Sequence, residues 1–338
     1  MRLLITGATG FAGNALLDML PAGPECSRLT LFTLPGDSGI SRVSEKRIPG
    51  LELCNGDIAD RAQVAEAVKG HTHVIHLAGM ISYWGRDLAK LTAVNVRGAE
   101  NVAAACVQHR VKRLVHISSV GSVGTFRDGR LAGETTPFNW PRNFHYMTTK
   151  HAGQQAVEKA VREQGLNAII LNPASLMGPG DPDPASAHNL LYARVISGSF
   201  WGCFAGGLAV TDVRDLASIS LRTLSHGSAG ESYLVVGGNV TYVDVVRAMG
   251  ASLQKKVYPF RVPPFLLAGA GGMMELLSAF SGSRPLLTTA YGRMSGWYGY
   301  YSNTKSVRAF QHRYIPFAQT VADGCAFYAS THAAPAAG

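Results

Sequence analysis

Residues 2–20 read RLLITGATGFAGNALLDML, a buried-strand pattern that passes through a glycine-rich turn straight into an apolar spacing of helical period. Gly7, Gly10 and Gly13 recur at every third position across that junction. In this context each glycine has a mechanical role. Gly7 permits the tight turn, Gly10 lets a pyrophosphate approach the backbone, and Gly13 lets helix and strand pack closely. The helix start beyond them offers free N–H groups and a partial positive charge to phosphate oxygens. A strand, glycine turn and helix in immediate succession commits a chain to a parallel sheet with a dinucleotide-sized anion site at its edge.

The rest of the chain continues that rhythm. Apolar segments follow at RLTLFTL (28–34), LELCN (51–55), HVIHLAG (73–79) and RLVHISS (113–119), separated by helical runs such as DRAQVAEAVKG and NVRGAENVAAACVQH. The fold expected is α/β: a Rossmann-type doubly wound parallel sheet covered on both faces, with a smaller C-terminal α/β substrate lobe. Ligands of such sheets bind beyond the carboxyl ends of the strands. At 338 residues, length suggests two domains. Residues 1–172 are expected to form the dinucleotide-binding domain, its sheet completed by about 207–237, where ESYLVVGG (231–238) returns as a strand. Residues 173–206 and 238–330 form the interleaved lobe, and 331–338 a flexible tail.

Composition narrows the partners. A formal charge of +9 favours anionic ligands, a phosphorylated cofactor included. The bases are scattered, and the longest adjacent run is a pair such as Lys255-Lys256, so no nucleic-acid surface is expected. Five widely spaced cysteines with no CxxC and no zinc spacing imply reduced thiols in a cytoplasmic protein and no metal. The opening apolar run is interrupted by glycines too early for a signal peptide. The segment VPPFLLAGAGGMMELLSAF (262–280) carries Glu275 and several glycines and prolines, which argues against a transmembrane span. It is expected to pack over an apolar pocket, peripheral membrane contact being the alternative.

A tyrosine one helical turn before a lysine occurs twice, as Tyr146/Lys150 in FHYMTTKHAG and Tyr301/Lys305 in YYSNTK. Residues four apart share a helix face and can address one ligand. Tyr146 opens a predicted helix and follows a strand that ends in Ser118-Ser119, whereas Tyr301 has no such serine before it. The first pair is therefore the expected proton-transfer device, and Lys305 decorates a strand-to-helix connection. A free phenol titrates near 10, and a neighbouring ammonium, together with the charge of an oxidised nicotinamide, stabilises the phenolate and lowers that value.

TGATGFAG resembles the extended short-chain dehydrogenase/reductase superfamily, the NAD-dependent epimerase/dehydratase group. The NPxxxxGPG turn in NPASLMGPGD (172–181) and YWGRD are similar to the dihydroflavonol reductase and 3β-hydroxysteroid dehydrogenase branch. The resemblance implies an NAD(P)-dependent oxidoreductase interconverting a ketone and a secondary alcohol on a hydrophobic small molecule. Tyr146 is then the general acid/base, Lys150 lowers its pKa and holds the nicotinamide ribose, and Ser119 holds the substrate oxygen, with Ser118 and Ser122 as rival hydroxyls. The same resemblance places the dinucleotide against Gly7, Thr9, Gly10, Phe11, Ala12, Gly13, Asp57, Ile58, Leu77, Ala78, Gly79, Asn95, Pro173, Ala174 and Ser175. Substrate contacts are expected from Met80, Ser82, Trp84, His145 and Met177, with Met273, Met274, Trp297 and Tyr298 as further apolar candidates. TDVRD (211–215) looks like the family's lobe junction, and paired helices imply a possible homodimer.

Two alternatives stand beside this reading. SSVGSVG lacks the acid pair of a sugar-nucleotide dehydratase, but an epimerase using tightly bound NAD needs only the same hydride machinery. A non-catalytic dinucleotide sensor is the second; such proteins lose the tyrosine or lysine that this chain keeps. On the cofactor, the second strand ends at Thr33-Leu34 without an acid, Asp37 is expected to face water, and Arg42, Lys46 and Arg47 follow. That pattern favours NADP(H) over NAD(H).

Overall fold

The computed structural model describes residues 1–20, 26–184, 186–198 and 202–332. In chain order its strands are β1 (Arg2–Thr6), β2 (Arg28–Thr33), β3 (Leu51–Asn55), β4 (His73–His76), β5 (Arg113–Ile117), β6 (Ala168–Pro173), β7 (Ser175–Met177), β8 (Cys203–Phe204), β9 (Gly207–Asp212), β10 (Ser232–Val235), β11 (Gly238–Thr241), β12 (Arg261–Val262) and β13 (Tyr298–Gly299). The α-helices are α1 (Phe11–Met19), α2 (Ile40–Glu45), α3 (Arg61–Val68), α4 (Leu88–Leu91), α5 (Gly98–Gln108), α6 (His145–Gln164), α7 (Ala187–Ser197), α8 (Val213–Arg222), α9 (Tyr242–Ser252), α10 (Pro264–Ser281), α11 (Thr289–Met294), α12 (Thr304–Phe310) and α13 (Phe317–His332).

Seven strands form one sheet in the order β3-β2-β1-β4-β5-β6-β10, every neighbouring pair parallel. The near-continuous apolar runs of the inner strands follow from burial on both faces, whereas β3, at the edge, is largely exposed. Leu3, Ile5, Ile169 and Leu171 point into a core shared with α1 and α8, through Leu16, Val213, Leu216 and Ile219. The intervening Leu4 and Ile170 point the other way, against Val64 of α3, Val102 and Cys106 of α5 and Val157 of α6. The strand order reverses between β1 and β4, so the crevice that a doubly wound sheet offers to ligands opens at those two strand ends. Gly7 marks the spot. It has φ +72°, and a Cβ there would stand 2.5 Å from the Ala78 nitrogen just beyond β4. A Cβ on Gly13 would lie 2.4 Å from Ala8 Cα, so α1 rests directly on the end of β1.

The C-terminal elements build around a second, four-stranded sheet in which β11, β9 and β13 are neighbours and β7 also pairs with β9. The return segment thus divides: β9 belongs to the small sheet, and only β10 extends the large one. A short pair, β8 with β12, completes the β structure of the lobe. TDVRD ties the two layers. Asp212 caps α8, and Arg214 bridges Asp212 Oδ2 and Asp323 Oδ2 of α13, at 2.7 Å each. Helix α13 runs through Thr331 and His332, the first two residues of the expected tail; residues 333–338 lie outside the described residues.

Candidate active site

The end of β1 and the start of α1 make a cradle for an anion. Gly10 caps α1 without a side-chain hydrogen bond, and the first turn carries no acid, so the N–H groups there are left for a ligand. Asn14 Nδ2 donates to the Gly180 carbonyl at 3.1 Å, which draws the 178–181 loop against α1, and the His188 ring lies 5.1 Å from that of Phe11. Leu77, Ala78 and Gly79 leave β4 alongside, held by Leu77 N to Thr6 O (3.0 Å) and Ala78 N to Thr6 Oγ1 (3.2 Å). Asp57 is exposed after β3 and accepts from Ala59 N at 2.8 Å, while the Ile58 side chain packs into the core and its carbonyl accepts from Asn101 Nδ2 at 3.0 Å. Ala12 stands in the first turn of α1, and Pro173, Ala174 and Ser175 run from the end of β6 into β7. The free helix terminus and the absence of side chains at Gly7 and Gly10 fit a dinucleotide pyrophosphate.

One expectation here is overturned. Asp37 does not face water: its Oδ2 accepts from Thr9 Oγ1 at 2.7 Å and its Oδ1 from Gly39 N at 2.8 Å. Gly36 and Gly39 curl the segment after β2 back onto the glycine turn, which strand spacing alone does not reveal. Lys46, counted among bases for a phosphate, is paired with Asp18.

Beyond β5 the chain turns at Ser119, which caps a short 3₁₀ turn and accepts from Gly121 N at 3.0 Å. The Tyr146 ring comes to the same place: a Cβ on Gly121 would stand 3.4 Å from Ser119 Oγ and 3.9 Å from Tyr146 Cε1, and the serine hydroxyl acts to lower the phenol's pKa. Ser118 and Ser122 instead bond each other at 2.7 Å. Lys150 lies one turn along α6, 7% exposed, and gives a 2.9 Å bond to the Ile117 carbonyl. Asn95 sits in a π-helical turn (Thr92–Arg97), a distortion that often marks functional positions. Its amide clamps the Met80 backbone on both sides, accepting from Met80 N at 2.8 Å and donating to Met80 O at 2.9 Å. The segment leaving β4 is thereby fixed opposite Lys150.

Without a cofactor's charge beside the phenol, burial governs it. Burial raises the Tyr146 pKa, and the Ser119 hydroxyl only partly offsets that. Burial also pulls Lys150 down to about 8. In the protein alone the ammonium therefore does not win over desolvation at the phenol. His76 and His116, their rings 5.2 Å apart behind Lys150, are also held neutral by burial, His76 down to about 3. The unfolded chain protonates such histidines below about 6.5 while the native one does not. Stability should therefore fall as pH drops from about 6.5 towards 3, and His76→Asn should flatten part of that slope in urea titrations at stepped pH.

An aromatic wall that the sequence reading missed starts at the tyrosine. Tyr83 meets the Tyr146 ring edge-on at 6.0 Å and stacks on Tyr291 at 4.6 Å; Phe204 and Tyr242 continue the series. Tyr83 sat between the two residues singled out in SYW, and only α11 packing back onto that loop identifies it. Ser82 is committed to Asp87 Oδ2 at 2.6 Å, and Asp87 is also paired with Arg284. Trp84 carries the Arg86 guanidinium 5.6 Å from its ring centre, and His145 opens α6 next to Tyr146. Met177 is displaced from the expected substrate set, for it packs in the lobe core with Tyr192, Val210 and Met249. Trp297 stacks between Trp140 and Phe144 under Arg127, and Tyr298 Oη reaches the Ala205 carbonyl at 3.4 Å. Met273 and Met274 face outward on α10.

The rival pair separates completely. Tyr301 is 3% exposed in a core cluster, and Lys305 binds Glu231 and the Ser232 carbonyl.

A doubly wound sheet with an open helix terminus at its switch point, and a hydroxyl pair and lysine beyond the next strand, defines an NAD(P)-dependent enzyme of the extended short-chain dehydrogenase/reductase type. The chain belongs to the NAD dependent epimerase/dehydratase family, whose sequence profile matches residues 3–237. It is 28% identical over 274 residues to sterol demethylase protein B of Methylococcus capsulatus, covering 80% of each chain. It is 24% identical to a putative dihydroflavonol 4-reductase of Synechocystis, covering 94% of this chain and 92% of that one. The crystal structure of gox2253 superposes with a TM-score of 0.81 at 28% identity, covering 98% of each chain.

Proposed function

We propose that the protein reduces a ketone on a hydrophobic small molecule to a secondary alcohol, and runs the reverse reaction when the alcohol is in excess. The observation that carries this reading is the Tyr146–Ser119 hydroxyl pair at one end of a continuous aromatic wall. A bound nicotinamide dinucleotide supplies the hydride. Ser119 donates to the substrate oxygen and polarises the carbonyl, and Tyr146 delivers the proton to that oxygen. Lys150, with one N–H on Ile117, has donors left for the ribose and for a proton path to the phenol. Its charge, added to that of the oxidised nicotinamide, lowers a phenol that the protein alone holds high.

Residues 1–172 with 213–237 hold the dinucleotide, while 173–212, which take in β9 of the small sheet, and 238–330 shape the substrate side. Of the charged groups around the wall, Arg284 is already paired with Asp87, which leaves it less available to a sugar diphosphate. The names of the sterol and flavonol relatives support the same direction. Free thiols at all five cysteines suit the reducing cytoplasm. The test is steady-state turnover of steroid, flavonoid and aryl ketones and of UDP-sugars with both reduced cofactors. Net cofactor oxidation on a ketone supports the reading, and sugar inversion without net redox change refutes it.

NAD(H) is the better fit among the cofactors, reversing the preference drawn from the bases after β2. The Asp37 carboxylate held against the glycine turn accepts from a ribose hydroxyl and repels a 2′-phosphate. Asp37→Asn is expected to raise the kcat/KM ratio of NADPH to NADH by roughly tenfold or more, because it removes that repulsion. An unchanged ratio would return the choice to Arg42 and Arg47.

A further inference from the structure

Helix α10 is the one helix among the described residues long and apolar enough to cross a membrane, yet only 11% of it is buried. Phe265 is 72%, Leu277 59% and Phe280 85% exposed, with Leu266, Met273 and Leu276 beside them. Tyr258 and Phe260, before the helix, and Leu286, after it, are exposed too. A continuous apolar surface of this kind on a folded protein marks an interaction site. We infer that α10 lies in the interface of an anionic lipid bilayer and holds the enzyme on the membrane surface.

The helix lies on the membrane rather than across it, because its other face belongs to the protein. A Cβ on Gly271 would stand 2.4 Å from the Thr288 carbonyl carbon, and one on Gly292 of α11 would stand 2.5 Å from the backbone of Leu267 and Ala268. Glu275, mid-helix, accepts from Thr289 N and Oγ1 at 3.1 and 2.7 Å. Eighteen residues fixed along one side to α11 cannot leave it to span a bilayer. Charge selects the occupant. Residues 253–298 hold Lys255, Lys256, Arg261 and Arg293 against the single acid Glu275, which is already engaged; Arg284 is paired with Asp87. A two-fold dimer through this face would set those bases against their own copies, whereas anionic headgroups complement them. The docked face is also one helix from the aromatic wall, since α11 carries Tyr291 and Arg284 reaches Asp87. The inference concerns attachment and stands whether or not the ketone reading does.

Flotation of the full chain with phosphatidylcholine vesicles, with and without phosphatidylglycerol, tests it. The wild type should float with the phosphatidylglycerol vesicles and be partly released by salt. Leu277→Glu/Phe280→Glu should weaken binding roughly tenfold or more with an unchanged melting temperature, because two exposed apolar anchors are lost. Lys256→Glu/Arg261→Glu should weaken binding on the anionic vesicles alone. A wild type that floats with neither vesicle, or no better than the double glutamate variant, overturns the inference. So does light scattering that finds a wild-type dimer which the double glutamate variant dissociates, because the face then belongs to a second copy.

Discussion

Replacing Tyr146 with phenylalanine should lower kcat by roughly a thousandfold while leaving dinucleotide affinity within a few-fold of wild type. The substitution removes one oxygen from a ring that is otherwise held by packing against Tyr83. It leaves Ser119 with its bond from Gly121 and leaves Lys150 on Ile117. The protein should therefore fold as before, and the melting temperature should move little. Only proton delivery to the substrate oxygen is lost, a step worth roughly 10² to 10⁴ in rate. Stopped assays with the ketone identified by the substrate panel, alongside fluorescence titration of the reduced cofactor, separate the two quantities. A variant that retains more than about a tenth of wild-type kcat would transfer the role to another hydroxyl. A variant that loses cofactor binding would make the ring structural.

Lys150→Met should produce the second large effect, and it runs in opposite directions for activity and stability. Turnover should collapse, because the charge that favours the phenolate is gone. Stability at pH 7 should rise. A lysine held at about 8 in the native state and near 10.5 unfolded loses binding free energy for its proton on folding. That shift corresponds to about 3 kcal/mol at most, and losing the bond to Ile117 takes back about 1 kcal/mol, so the net gain is about 2 kcal/mol. The sign of the pH dependence follows from proton counting. Between pH 8 and 10.5 the unfolded wild type binds more protons than the native state, so wild-type stability rises with pH. The gap to the methionine variant should therefore narrow across that window and stay constant below it. Urea midpoints from pH 6 to 10 measure it. A methionine variant that is less stable at neutral pH would mean that the bond to Ile117 outweighs the cost of burying the ammonium.

Most of the large sheet was legible because local signals agree there. In the first βα unit, glycine spacing, apolar runs and helical period all point to one geometry, and each strand that HVIHLAG and RLVHISS mark forms where expected. Tyr146 and Lys150 could be paired from their place at a helix start beyond a strand end, whereas chain order left Ser118, Ser119 and Ser122 open and only the family resemblance singled out Ser119. Features set by contacts between distant segments were not readable. The Asp37 turn folds back through Gly36 and Gly39 onto Thr9, and strand counting says nothing about that return. Tyr83 joins the site only because α11, about two hundred residues later, lays Tyr291 against it. Met177 alternates in a short strand whose partner β9 decides which face is buried. In the protein alone burial of both groups governs the phenol and the ammonium, and the nicotinamide charge on which the expected lowering also rests comes only with a bound cofactor.

The reaction is tested most directly by following deuterium from [4-²H]NADH into product. With a hydrophobic ketone, the label should appear on the new carbinol carbon in step with cofactor oxidation, and Tyr146→Phe should abolish both. Label that never reaches a ketone, together with inversion of a UDP-sugar at constant cofactor, would contradict ketone reduction as the chemistry of this site.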